Sequence, residues 1–247
     1  MIQLGGALVV GVALGLLGSG GSIITVPILV HGLDRPFDVA VSESLWIVGL
    51  ISLVGAIVAL RGANVQFRTA IIVAPFGVAG AFLGSVLTSS ISNNYQEGLF
   101  LSVLLASSFM MLKSPNIVEP NRFSSLNSVL LPGAFFIGVL SGLVGVGGGF
   151  LILPLLIYFG GLKFNDAAGT SLLLITSQSL AGAITPQLLL PIQERPDLSW
   201  GLIFWFTIIG IIGLVFGDRL RSVLTERVLR KSFGFALMIL TVFLVSR

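Results

Sequence analysis

The stretch GLLGSGGSIITVP, residues 15–27, sets four glycines, two serines, a threonine and a proline inside an otherwise apolar run. Glycine costs a helix interior about 1 kcal/mol relative to alanine, and proline about 3 kcal/mol. A plain membrane anchor would carry neither. The reading that follows is a helix broken on purpose, and the rest of the chain tests it.

The medium is a bilayer. Apolar residues make up 55% of the 247 positions and charged residues 9%, against about 25% in soluble domains. The mean hydropathy is +1.07. Windows at 39–60, 69–91, 98–112, 199–217 and 232–245 approach or exceed the ~20 apolar residues that span hydrocarbon. The opening residues lack a basic region and do not read as a cleaved signal peptide. There is no cysteine, which excludes disulfides and thiol chemistry. The net charge of +3 comes from arginines in loops, so it reports orientation and not affinity for nucleic acid.

The opening stretch has a double. GVALGLLGSGGSIITVP at 11–27 returns as GVLSGLVGVGGGFLILP at 138–154, with an offset of 127 at every matched glycine and at the proline. The register runs on without a gap to Ala56 and Ala183; beyond it an offset of 133 pairs Gly77, Gly80 and Gly84 with Gly210, Gly213 and Gly217. The chain is therefore expected to be an all-α integral membrane protein of two homologous repeats, 1–112 and 128–247, joined by a polar linker at 113–127. Each repeat has a Gly-broken first element followed by three helices.

If the first element crosses the membrane, the 13 basic residues divide six against seven between the two sides. If it dips in and returns, Arg35, Arg195 and Arg247 lie on one side and the other ten on the opposite one. Basic residues collect in cytoplasmic loops, so the asymmetry favours the re-entrant arrangement. The second repeat is then inverted, a transporter design with its site near the midplane.

Broken backbone at membrane depth is tolerated where it is buried or lines a wet cavity. The half-helix after each break would offer free N–H groups and a positive dipole end, which attract anions. The expected ligands of a small anion are Gly20, Gly21 and Ser22 from the first break and Gly147, Gly148 and Gly149 from the second. Ser44, Thr170, Ser171 and the deeper Gln178 are expected beside them, with Ser179 a further neutral candidate. Gly11, Gly15 and Gly18, with Gly138, Gly142 and Gly145, read instead as close helix packing. Asp38 and Asn165-Asp166 read as caps of the next helix in each half. Glu43 is the one carboxylate inside an apolar run, where the other half has Thr170, and is assigned to coupling rather than to holding the anion. His31, the only histidine, is placed at the membrane interface. No set of residues could assemble a catalytic or metal site, so an enzyme is not expected, nor a cofactor.

The paired motifs GSGGSIITVP and GVGGGFLILP, with AGTSLL (168–173) following YFGGL (158–162), resemble the TauE/SafE family of sulfite exporters over nearly the whole chain. That resemblance implies a multi-pass protein of the plasma membrane that exports sulfite or organosulfonates such as sulfoacetate. A passive anion channel and a carboxylate carrier stay open as alternatives. The expected partners are the small anion and the lipid bilayer, with no nucleic acid; a homodimer stays open too.

Overall fold

A computed structural model describes residues 2–19, 21–88, 91–113 and 129–221, and from there only positions 223–225, 228, 231, 234, 235, 238, 239, 241 and 242. Almost all of the linker, and eight of the fourteen positions of the window at 232–245, therefore lie outside the described residues. Helices α1 (Ile2–Leu17), α2 (Ser22–Pro27), α3 (Phe37–Arg61), α4 (Phe67–Thr88) and α5 (Asn93–Lys113) belong to the first half. The second half contributes α6 (Leu130–Val144), α7 (Gly149–Tyr158), α8 (Phe164–Leu189) and α9 (Trp200–Arg221). Helices α3, α4, α8 and α9 are long and apolar enough to cross a membrane. Their outer surfaces suit lipid: Ile71 is 69% exposed, and Trp205 and Phe216 are each 62% exposed.

The first element of each half is a hairpin. After the break at residues 18–21 the chain turns back along α1. A Cβ on Gly21 would strike the Val10 carbonyl and the Leu14 side chain, and one on Gly6 would come within 2.7 Å of Ile28. The second half repeats this at the same offset, with Gly133 against Leu155 at 2.7 Å and Gly148 against Ile137 at 2.9 Å. Beyond Pro27, whose ring cannot donate to the helix ladder, the first return strand widens into a π turn over Ile28–Gly32 that holds His31.

The halves interlock. Helix α1 packs on α9, α6 packs on α4, and α3 and α8 cross between them. Both outer seams are backbone against backbone: a Cβ on Gly11 would run into the Gly210 carbonyl, and one on Gly138 into the Gly77 carbonyl. Without hydrophobic drive between helices in lipid, such close approach supplies the packing energy. Ser108 Oγ donates to the Gly234 carbonyl at 3.1 Å, tying α5 to the C-terminal segment.

Contacts between the connections reveal which ends share a level. Arg35, after the first hairpin, donates to the Asp197 carbonyl before α9. The Gln66 N–H, before α4, donates to Thr170 Oγ1 near the start of α8 at 3.0 Å. Four crossings per half would put each of these pairs at opposite ends of the molecule; hairpins put them together.

The caps differ from the sequence reading. Helix α3 begins at Phe37 behind Pro36 and α8 at Phe164 behind Lys163, and neither has a side-chain cap. The extended backbone of Pro36 and Lys163 (ψ 144° and 152°) starts each helix a residue or two early, leaving Asp38 and Asp166 inside the first turn. There they still meet the positive end of the helix dipole.

Candidate functional site

Both breaks lie against α8. Gly18 packs on Ala168 near the start of α8, but Gly149, the first residue of α7, lies against Ile175, eleven residues into that helix. A Cβ on Gly149 would also stand 2.8 Å from the Ser19 carbonyl oxygen, so the second half-helix begins against the first break. The turn into α7 needs glycine. Gly147 and Gly148 have φ of +67° and +65°, left-handed values that cost other residues roughly 1–2 kcal/mol.

Each break is pinned by a serine from the other half. Ser44 Oγ donates to the Gly145 carbonyl. Its counterpart, Ser171 Oγ, donates at 2.8 Å to the Gly18 carbonyl and at 2.8 Å to that of Ala168. Both hydroxyl protons are thus engaged by backbone carbonyls. Ser22 Oγ likewise donates to the Ser19 carbonyl at 3.1 Å within its own break. Gly21 lies against α1, and Gly20 lies outside the described residues.

Three buried side chains around the second break have no hydrogen-bond partner: Ser141 Oγ, Ser179 Oγ and both polar atoms of the Gln178 amide. Gln178 and Ser179 are fully buried and Ser141 is 1% exposed. They close on the glycine turn. A Cβ on Gly148 would be 3.2 Å from Gln178 Oε1 and 3.3 Å from Ser141 Cβ, and one on Gly147 would be 2.6 Å from Ser179 Oγ. The first N–H groups of α7, which starts at this turn, have no intrahelical acceptors. An unpartnered buried polar group costs about 1–3 kcal/mol, so this cluster is costly unless something else binds to it.

The first half has no such cluster. At the offset of 127 the partners of Ser141 and Gln178 are Leu14 and Ile51, and only that of Ser179 is polar: Ser52, whose buried hydroxyl is also unpartnered. The glycines that make room follow suit: a Cβ on Gly77 would strike the Gln178 amide, and one on Gly210 would strike Ile51. Two equivalent seats therefore exist, one with three unpartnered polar side chains and one with Ser52 alone.

Glu43 and Thr170 bond to the connections before α9 and α4 and not to the breaks, and they do the same job. Glu43 Oε1 accepts the N–H of Ser199, before α9, at 2.9 Å. Thr170 Oγ1 accepts the N–H of Gln66, the equivalent position before α4, and donates to the Asp166 carbonyl at 2.5 Å. Each satisfies an orphan donor at the start of the other half's helix. Glu43 brings a charge, and Arg35 answers it: Nη2 to Oε1 at 2.5 Å and Nε to Oε2 at 3.1 Å. The hydrogen bond to Glu43 holds the Arg35 guanidinium above its ordinary pKa.

Sequence reasoning missed Ser141 and missed Arg35 as the partner of Glu43. The signal for Ser141 was a polar residue opposite Leu14 in the repeat; the signal for Arg35 was a lone cation eight residues before the lone buried carboxylate. Among the described residues no three His, Asp or Glu side chains gather as metal ligands.

Crossed broken helices around a buried polar cluster, in a body of membrane-spanning helices, define a multi-pass membrane transporter. Residues 3–244 match the family described as Sulfite exporter TauE/SafE, and the chain belongs to that family. It is similar over its whole length to a probable membrane transporter protein of Xylella fastidiosa, 29% identical and covering 95% of that relative. The probable membrane transporter protein YdhB of Bacillus subtilis is 29% identical over 70% of this chain and 73% of its own. A probable membrane transporter protein of Haemophilus influenzae is 26% identical over 92% of this chain and 91% of its own. No solved structure matches.

Proposed function

We propose that this transporter exports a small sulfur oxyanion or organosulfonate across the plasma membrane, and that the anion binds at the second break. The observation that carries the reading is the set of unpartnered polar groups, Ser141, Gln178 and Ser179, converging on the N-terminus of α7. An anion there would accept bonds from two hydroxyls, one amide and the free N–H groups of Gly149 and Phe150. Each bond to a charged group is worth about 1.5–3 kcal/mol, so three or four would hold a small oxyanion. The family's description supplies the sulfite class; the neutral hydrogen-bonding cluster is compatible with it.

Export fits the electrical gradient. A monoanion leaving a cell with a negative interior gains about 2.3 kcal/mol per 100 mV. In the proposed orientation residues 34–37 face outward while 61–68 and 219–231 face inward, with the second half inverted relative to the first. The hairpin contacts and the asymmetry of the basic residues support this arrangement.

The test is efflux of radiolabelled sulfite and of methanesulfonate from proteoliposomes, with counterflow to distinguish a carrier from a channel. Wild-type protein should show saturable efflux and counterflow. Gln178→Leu should abolish both while the protein remains folded. Full efflux by that variant would contradict the proposed site.

A further inference from the structure

We infer that the site at the second break accepts a singly charged oxyanion and turns away dianions. The inference rests on the proposed carrier function and adds to it a charge rule.

The rule follows from which groups reach the site. The Gln178 amide, the Ser141 and Ser179 hydroxyls and the α7 N–H groups are all neutral dipoles. The lysines and arginines whose burial is described lie elsewhere: Arg61, Arg68, Lys163, Arg195, Arg219 and Lys231 are exposed, Arg35 is committed to Glu43, and Arg221 is paired with Asp218 at the end of α9. Titratable side chains on the helices around the site, namely Asp38, Glu43, Arg61, Arg68, Tyr158 and Asp166, all lie within about two turns of a helix end. Dehydrating an ion costs free energy that grows as the square of its charge, whereas its attraction to fixed dipoles grows only linearly. A second charge therefore raises the cost roughly fourfold and the return roughly twofold. A buried arginine would reverse that balance, and here there is none among the described residues.

Nor can a second charge find a seat of its own. The equivalent place in the first half holds Ile51 and Leu14 where the second half holds Gln178 and Ser141. The mirror keeps one polar group, the Ser52 hydroxyl opposite Ser179, and lacks the amide and the second hydroxyl. Sulfite should then travel as hydrogensulfite, and a sulfonate only when the sulfonate is its sole charge. Sulfate, thiosulfate and sulfoacetate, with two charges each, should be refused.

The experiment uses full-length protein in proteoliposomes. Uptake of methanesulfonate and of isethionate is compared with that of sulfate, thiosulfate and sulfoacetate, and sulfite uptake is followed from mildly acidic to mildly alkaline pH. The dianions should enter about tenfold or more slowly than the monoanions. Sulfite uptake should fall with rising pH as hydrogensulfite loses its second proton, while methanesulfonate uptake stays level. In a second arm Gln178→Lys should raise dianion uptake relative to monoanion uptake, and the wild-type pH profile decides the matter if that variant does not fold. Sulfate or thiosulfate moving as fast as methanesulfonate would overturn the charge rule and leave the carrier standing. Sulfite uptake that holds level or rises with pH would overturn it too. Absence of any anion transport would overturn both readings.

Discussion

Removing Arg35 should harm the protein more than neutralising Glu43, although the two form one ion pair. Glu43 is fully buried, while the Arg35 side chain is 27% exposed. Arg35→Ala leaves a buried carboxylate with only the Ser199 N–H to answer it. Stranding one partner of a buried pair costs about 3–5 kcal/mol, and the partial exposure of Arg35 puts this case near 3 kcal/mol. Glu43→Gln keeps a carbonyl oxygen for the Ser199 N–H and leaves a guanidinium that water can reach, at about 1 kcal/mol. For a chain of this size 1 kcal/mol moves Tm by about 2–4 °C. Thermal unfolding in detergent should therefore show drops of roughly 6–12 °C for Arg35→Ala and 2–4 °C for Glu43→Gln. The double variant should be milder than Arg35→Ala alone, because no unpaired charge remains. A larger loss from Glu43→Gln than from Arg35→Ala, or a double variant equal to the sum, would refute the reasoning.

Ser44→Ala and Ser171→Ala should each cost about 1 kcal/mol by the same unfolding assay, and by similar amounts, since each removes one buried hydroxyl bond to the opposite break. Gly147→Ala should cost about 1–2 kcal/mol from its positive φ, and it should also lower anion affinity in a thermal-shift titration by displacing Ser179. Because the chain has no cysteine, Val65→Cys and Asp197→Cys give clean accessibility probes. An impermeant thiol reagent added to intact cells should label position 197 and spare position 65; the reverse pattern would invert the proposed orientation.

Much of the fold was legible because membrane helices leave long apolar runs and because the chain repeats itself. The offset of 127 located both breaks, and the basic residues favoured hairpins over crossings. Helix α8 did not stand out as an apolar window, since Asn165, Asp166, Ser171, Thr176, Gln178 and Thr185 dilute its hydropathy; only its pairing with α3 in the repeat marked it as a span. Helix starts were misplaced by a residue or two because Pro36 and Lys163 set the backbone without any side-chain cap.

The site was harder to read than the fold. Spacing shows that Ser44 and Ser171 lie near a break, but not that each hydroxyl proton is already given to a carbonyl of the opposite half. Nor does it show that Glu43 and Thr170 serve the starts of α9 and α4, because those contacts join positions 156 and 104 residues apart. The difference between the halves was visible as Ile51 against Gln178 and Leu14 against Ser141. Its meaning came only with the unpartnered atoms around Gly147 and Gly148.

The central claim is that an oxyanion binds at the start of α7. A crystal structure of the protein soaked with selenite, a heavier analogue of sulfite, would locate the anion directly by its anomalous scattering. The account places the selenium peak within hydrogen-bonding reach of Gln178, Ser141, Ser179 and the N–H groups of Gly149 and Phe150. A peak beside Arg35 or Arg195 instead, with the second break empty in protein that still transports, would contradict it.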